Sequence, residues 1–353
     1  MFLAHIAQKN SSNESVRAYG NDLLKFFREL SEVNGTSGIL GHDFRDVTDS
    51  EMNAYLNAYL RKKHGLKLRS IKRHIATLGS FYDYAYAHGW VAERKKFSFA
   101  VRSDEVKTSE LEGITKQLTL EYMSKDDLKT LLDCVPSNNH FNCKRDQLAL
   151  MLGYYANFRT HELVHPNNLR ISDLEELITL DERGIPSITK PMKIYGKGNK
   201  VRSVRVWPEL VQPLYEFLKI AKRVGAKKHL MCRQDGKPLI NEGHGTQTFR
   251  RAVTNLLLKG ELSQQDADLW KHRHFHGLRK CYATNAVTYC YREGYDKRTF
   301  VTQWMGHADF STTEVYIYFE ALISHRVLDN KEIDMKKVVK GSQSEDFYKK
   351  IIK

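Results

Sequence analysis

The chain has 353 residues, 41% of them hydrophobic and 28% charged, which suits two domains with separate cores and excludes a disordered or fibrous protein. Lys and Arg number 56 against 42 Asp and Glu, a formal net charge of +14; such a surplus releases counterions from a polyphosphate and points to nucleic acid, the alternative being a solvated basic surface. No apolar run is long enough for a bilayer, MFLAHIAQKNSSNES is too short and polar for a secretory leader, and the five cysteines form no C-x-x-C pair, so reduced thiols, no membrane partner and a cytoplasmic location are expected.

In chain order, Ser11 and Glu14 have capping-box spacing ahead of Val16, Tyr19, Leu23, Phe26, Phe27 and Leu30 at helical intervals. A second box, Thr48 to Glu51, opens a helix bearing Met52, Tyr55, Leu56 and Tyr59, with Gly65 placed to stop it. A third helix aligns Ile71, Ile75, Leu78, Tyr82 and Ala85 before Gly89. Residues 1–95 therefore read as a small helical domain. Lys67, Arg69, Lys72, Arg73 and His74 cluster on early turns of the third helix, which gives either a DNA-facing surface or a wet helix face.

Residues 96–117 are charged and weakly periodic, as in a linker. A box from Ser124 to Asp127 then caps a helix that buries Leu128, Leu131 and Leu132, and the apolar stretch DQLALMLGYYANFR predicts another. Short strands follow in LITL, PSIT and KIYGKGNKVRSVRV, where Gly196 and Gly198 flank Lys197 at a predicted hairpin turn. The rest reads as mostly helical to about residue 325. The expected fold class is α+β, mostly helical, with a small antiparallel sheet in a domain over 118–328 and a basic tail over 329–353.

His161-Glu162-Leu163-Val164-His165 fits the H-E-x-x-H zinc pattern. A zinc peptidase needs both histidines on one helix face and a third ligand downstream, but Pro166 disfavours helix at His165 and Glu175, Glu176 and Glu182 have no recognisable helical setting. His272, His274 and His276 lack cysteine or carboxylate neighbours at ligand spacing. No metal site is expected, and the zinc metallopeptidase stands as a minor alternative.

Another set suits phosphoryl transfer. Arg159 closes a predicted helix, and Arg279 follows in His276-Gly277-Leu278-Arg279. Two guanidiniums can hold both non-bridging oxygens of one phosphodiester and stabilise its extra transition-state charge. Ser311 and Glu314 are spaced as a capping box for a helix with Tyr316 in its early turns and Tyr318 two residues on.

Arg159 with Glu162, the lysine of GKGNKVRSVRV, the His-x-x-Arg of HGLR, and Gly306-His307 followed by Tyr316 resemble, in order and approximate spacing, the tyrosine recombinase or phage integrase family. The helical front domain resembles that family's core-binding, SAM-like domain. The resemblance implies that Arg159 and Arg279 clamp the scissile phosphate and that Tyr316 attacks it to give a 3′-phosphotyrosyl link and a free 5′-hydroxyl. It further implies that Lys197 protonates the leaving oxygen, that His276 assists as acid, base or phosphate ligand, and that His307 hydrogen-bonds the phosphate. Lys200 lies near enough to Lys197, and Tyr318 to Tyr316, to stand as alternatives for those two roles. Glu162 would buttress the site.

No cofactor, neither ATP nor a divalent ion, is implied, because the ester conserves the bond energy. Arg69, Lys72, Arg73, Lys193, Lys200, Arg202, Arg205, Arg250 and Arg251 are candidate phosphate contacts. The implied partners are duplex DNA with paired recombination sites, a homo-tetramer on that DNA, and accessory DNA-bending or directionality proteins, in a nucleoid-associated setting that serves a mobile element or transposition. The tail is a candidate for docking on a neighbouring protomer. A type IB topoisomerase is the competing enzyme, and a DNA-binding protein with a dead site the competing non-enzyme.

Overall fold

The computed structural model describes residues 1–9, 13–31, 40, 43–101, 110–136, 138–196, 200–308 and 310–324. Expectations placed on Ser11, on the side chains of Glu14 and Arg69, on Lys197 and Gly198, and on the tail from 329 lie outside them. The chain divides into two compact units on either side of residue 106. No described helix is long and apolar enough to cross a membrane.

The first unit contains α1 (Phe2–Gln8), α2 (Asn13–Ser31), α3 (Asp49–Ala54) and α4 (Leu68–Ala87). The sequence reading missed α1. Thr48 and Glu51 close a reciprocal capping box, and beyond Ala54 the helix widens into a π-helix, Tyr55–Lys63. Apolar faces of these helices enclose Phe26, Met52, Tyr55, Leu56, Leu60, Ile71 and Leu78, all fully buried. Asp22, equally buried, is held by a bidentate Arg73, by the Thr77 hydroxyl at 3.1 Å and by His74 at 3.0 Å. A carboxylate placed there has to be paired, and these partners hold its pKa well below the usual range even though burial opposes them.

The second unit begins with α5 (Glu110–Glu121), which occupies the later part of the stretch expected as linker. Its polar sequence gave little periodicity, yet it buries Leu118 and Glu121 and packs on α11 (Gln264–His272), α12 (Phe275–Glu293) and α14 (Ser311–Ile323). Ser124 and Asp127 cap α6 (Lys125–Asp133) as expected. The centre is α7 (His140–Ala156), whose Leu148, Ala149, Leu150, Leu152, Gly153, Tyr154, Tyr155 and Ala156 are all buried except Met151, half-buried among them. A helix apolar all round belongs inside a core, and α12 and α9 (Pro208–Arg223) pack against it.

After α8 (Ile171–Leu177), the strands form two separate two-stranded antiparallel ladders, β1 (Thr179–Leu180) with β2 (Pro186–Ser187) and β3 (Met192–Tyr195) with β4 (Val201–Val204). Strand alternation in the second hairpin buries Met192 and Ile194 on one strand and Arg202 and Val204 on the other. The unit is completed by α10 (His244–Leu258) and α13 (Lys297–Met305). All five cysteines are free thiols, four of them buried.

Candidate active site

The site is built where α7 ends. Asn157 closes that helix in the left-handed conformation (φ 61°, ψ 30°), a region that asparagine tolerates better than most residues. The turn it makes throws Arg159 onto the start of a short 3-10 helix, Thr160–Val164, while Phe158 anchors the turn in the core.

Glu162, completely buried, sits one turn into that helix. Its Oε2 accepts the Arg159 backbone N–H at 2.7 Å and Arg202 Nη2 at 2.6 Å, and its Oε1 accepts Arg159 Nη1 at 2.8 Å and Arg202 Nη1 at 2.6 Å. Burial alone would raise the Glu162 pKa, but the Arg202 fork and then the Arg159 charge win and hold it at about 2. The carboxylate is therefore ionised at neutral pH and fixes the direction of Arg159, whose side chain remains one-third exposed (33%).

Arg279 enters from the second turn of α12 and is 2% exposed. Its Nη1 donates to the Asn157 carbonyl at 3.0 Å and to Asn157 Oδ1 at 2.6 Å, and its Nη2 donates to the Met305 carbonyl. Asn157 also accepts Arg202 Nη2 on its carbonyl at 2.8 Å and donates from Nδ2 to the Trp304 carbonyl at 2.7 Å. One residue thus ties the end of α7 to the end of α13 and to two guanidiniums. Burial first, then the like charges of Arg159 and Arg202, push the Arg279 pKa down. Two of the three guanidiniums, Arg159 and Arg202, pair with Glu162 while Arg279 is bonded to neutral oxygens, so the cluster carries net positive charge in a poorly solvated place.

Gly306 ends α13 with φ 63°, and a Cβ there would lie 2.7 Å from Arg202 Cδ. Both facts call for glycine. His307 follows, half-buried, with Nδ1 2.9 Å from the Thr313 hydroxyl and its ring 6.2 Å from that of Tyr316 at 19°. Burial and then the charges of Arg279, Arg159 and Arg202 depress its pKa to about 4, so the ring is neutral at pH 7.

Tyr316 is half-buried on α14. Burial raises its phenol pKa, and the charge of Arg279 pulls it back toward ionisation. Tyr318 is 3% exposed, since two residues on a helix turn the side chain to the far side. The expected Ser311–Glu314 cap does not form: Phe310 holds the N-cap position without a side-chain bond and Ser311 is already helical. His276, on the first turn of α12, lies at the exposed rim. Desolvation, followed by the charges of Arg279 and Lys280, lowers its pKa.

The zinc geometry is not formed. His165 lies beyond the 3-10 helix in extended backbone, its ring parallel to that of Tyr195 at 6.2 Å. At three residues per turn, positions four apart do not share a face, and Glu162 is occupied by two arginines.

Among the proposed phosphate contacts, Arg202 needs correction: alternation along β4 turns it inward, where it is 8% exposed and grips Glu162. Arg73 and Arg251 reach the surface but are paired with the buried carboxylates of Asp22 and Asp146, which reduces their free charge. Arg205 lies over the Tyr289 ring at 4.3 Å. Lys72, Lys193, Lys200 and Arg250 are exposed. Sequence reading missed Asn157 and Thr313; an asparagine directly after a long apolar helix was the available signal for the first.

The sequence model of the phage integrase family matches residues 121–321, and that of the phage integrase N-terminal SAM-like domain matches residues 1–89. Tyrosine recombinase XerC of Thermodesulfovibrio yellowstonii is 27% identical over 320 residues, covering 90% of each chain. Among solved structures, the XerH site-specific recombinase bound to a palindromic difH substrate as a post-cleavage complex aligns with a TM-score of 0.58 at 18% identity, covering 91% of this chain and 80% of that one. A lambda integrase tetramer bound to a Holliday junction aligns at 0.56 and 16% identity, covering 94% and 77%.

Proposed function

Since the chain belongs to the phage integrase family and is a site-specific tyrosine recombinase that cleaves and rejoins DNA, we propose that Tyr316 is its nucleophile and that the cluster of Arg159, Arg279, His276 and His307 holds the phosphate it attacks. The observation that carries this division of roles is the net positive cluster of Arg159, Arg202 and Arg279 around Glu162, beside His307 and Tyr316. Arg159 and Arg279 bind the two non-bridging oxygens and stabilise the charge that accumulates on them in the pentacoordinate transition state.

The phenol oxygen of Tyr316 forms a bond to phosphorus as the bond to the 5′-oxygen breaks. The phenol gives up its proton in the same step to the neutral imidazole of His276 as general base, and the departing 5′-oxygen takes one from Lys197, which lies between β3 and β4 in sequence. His276 assists proton transfer at the rim, and His307 donates a hydrogen bond to the phosphate. The 3′-phosphotyrosyl ester keeps the bond energy, so attack by a 5′-hydroxyl of a partner strand reseals DNA without ATP or a metal ion.

Lys72, Lys193, Lys200 and Arg250 contribute backbone contacts that position the duplex. Four protomers assemble on paired sites, and the residues from 329 onward dock on a neighbouring protomer. The fold shared with a lambda integrase tetramer on a Holliday junction supports that assembly. The biological outcome is integration, excision or resolution, aided by accessory DNA-bending proteins.

The test is to trap the covalent complex on genomic DNA and sequence the attached strand. Attachment through a 3′ end at one recurring motif, together with recombination between two copies of it, supports this function. Scattered attachment with relaxation of supercoils and no recombination would make the protein a type IB-like topoisomerase.

A further inference from the structure

Thr313 is fully buried and joins two elements of the site. Its hydroxyl accepts a hydrogen bond from the Thr302 hydroxyl of α13 at 3.1 Å and meets His307 Nδ1 at 2.9 Å. A hydroxyl carries one proton and two lone pairs. With a lone pair committed to Thr302, the Thr313 proton has His307 Nδ1 as its acceptor among the described side-chain contacts. Were Nδ1 instead protonated, the Thr313 hydroxyl would accept twice and leave a buried proton unpaired among the described side-chain contacts, an arrangement that buried polar groups avoid.

We infer that Thr313 is a positioning residue for His307: the Thr302–Thr313 hydroxyl relay fixes the imidazole as the neutral tautomer with its proton on Nε2, which makes the ring a hydrogen-bond donor toward the scissile phosphate. The last clause rests on the role proposed above for His307. A ring nitrogen that accepts at Nδ1 must carry its proton on Nε2 when neutral, and burial, followed by the surrounding guanidiniums, keeps it neutral. A lone pair aimed at an anionic phosphate would repel it. A neutral N–H adds a donor to the transition state without a further cation beside Arg159, Arg202 and Arg279.

Long-range proton–nitrogen correlation spectra of the full chain, labelled with ¹⁵N-histidine, read the tautomer directly; His307→Gln identifies the signal. At pH 7, without DNA, the wild type is expected to show His307 protonated at Nε2 and bare at Nδ1. Thr313→Ser should keep that pattern, whereas Thr313→Val should shift it toward protonation at Nδ1 and slow single-turnover cleavage about tenfold, the effect of one lost hydrogen bond. Wild-type His307 protonated at Nδ1 would overturn the relay, as would an unchanged tautomer in folded Thr313→Val; if Thr313→Val does not fold, the wild-type and Thr313→Ser spectra still decide. The two levels separate cleanly: the expected tautomer in a chain that forms no adduct with DNA would keep the relay and remove the phosphate role, while an Nδ1–H tautomer in an active enzyme would remove the relay and leave the nucleophile and arginine roles proposed above in place.

Discussion

Arg159 and Arg279 differ in what surrounds them, and their variants are expected to fail for the same chemical reason by different routes. Arg159 is pinned by one carboxylate and still reaches solvent, whereas Arg279 is held by backbone carbonyls and an amide. Loss of a preorganised donor to a developing oxyanion costs about 10²–10³-fold in rate, so Arg159→Ala and Arg279→Ala should each lower single-turnover cleavage by that order with duplex binding far less affected. A gel-shift titration run beside a cleavage time course checks the split. His161→Ala should leave cleavage near wild type, since that histidine belongs to the zinc pattern and not to the guanidinium cluster. Glu162 makes a pH prediction. Its folded pKa of about 2 is depressed below the ordinary 4.5, so the stability it contributes is complete above the unfolded value and is lost as pH falls through 4.5 toward 2. On the order of 3 kcal/mol is involved. Urea unfolding should therefore find Glu162→Gln much less stable than wild type at pH 7, with the gap narrowing toward pH 3; a gap that stays constant would contradict the ion pairing.

The elements deliver these side chains through their ends more than through their lengths. Gly306 shows why: it terminates α13 in the left-handed region with the Arg202 side chain where a Cβ would stand. Gly306→Ala should strain the turn, displace Arg202 and His307, and lower both stability, by roughly 1–2 kcal/mol, and cleavage; thermal melts and the cleavage assay read the two effects. Much of this level was legible in the sequence. The boxes at Thr48 and Ser124, the stops at Gly65 and Gly89 and the β3–β4 hairpin follow from local signals that tertiary packing does not override. Arg202 was misplaced because its charge outweighed its phase, although alternation with Val204 already marked it as inward. α5 was missed because a helix that covers a core with few apolar residues leaves little periodicity. At α14 the Ser-x-x-Glu spacing imitated a cap one residue inside the helix, and at Thr160–Val164 a 3-10 turn broke the face that the zinc pattern requires.

At the scale of the whole molecule, the two units keep separate cores while the proposed catalytic set falls within the second, from Arg159 to Tyr316. The surplus of 56 basic over 42 acidic residues supplies the sequence-independent part of DNA affinity, which should weaken steeply with salt. If the residues from 329 onward link protomers, deleting 329–353 should leave binding to a single site intact and abolish higher-order complexes on paired sites, measured by analytical ultracentrifugation of protein–DNA mixtures. Unchanged assembly would remove the tail from the interface. All of these expectations meet at one atom, the phenol oxygen of Tyr316. Its role is read most directly by trapping the protein on a nicked suicide duplex and mapping the DNA-linked peptide by mass spectrometry, with Tyr316→Phe and Tyr318→Phe alongside. The expected result is a nucleotide remnant on Tyr316, no adduct with Tyr316→Phe despite normal binding, and a normal adduct with Tyr318→Phe. A remnant on Tyr318 or any other residue, or an adduct that survives Tyr316→Phe, would contradict it.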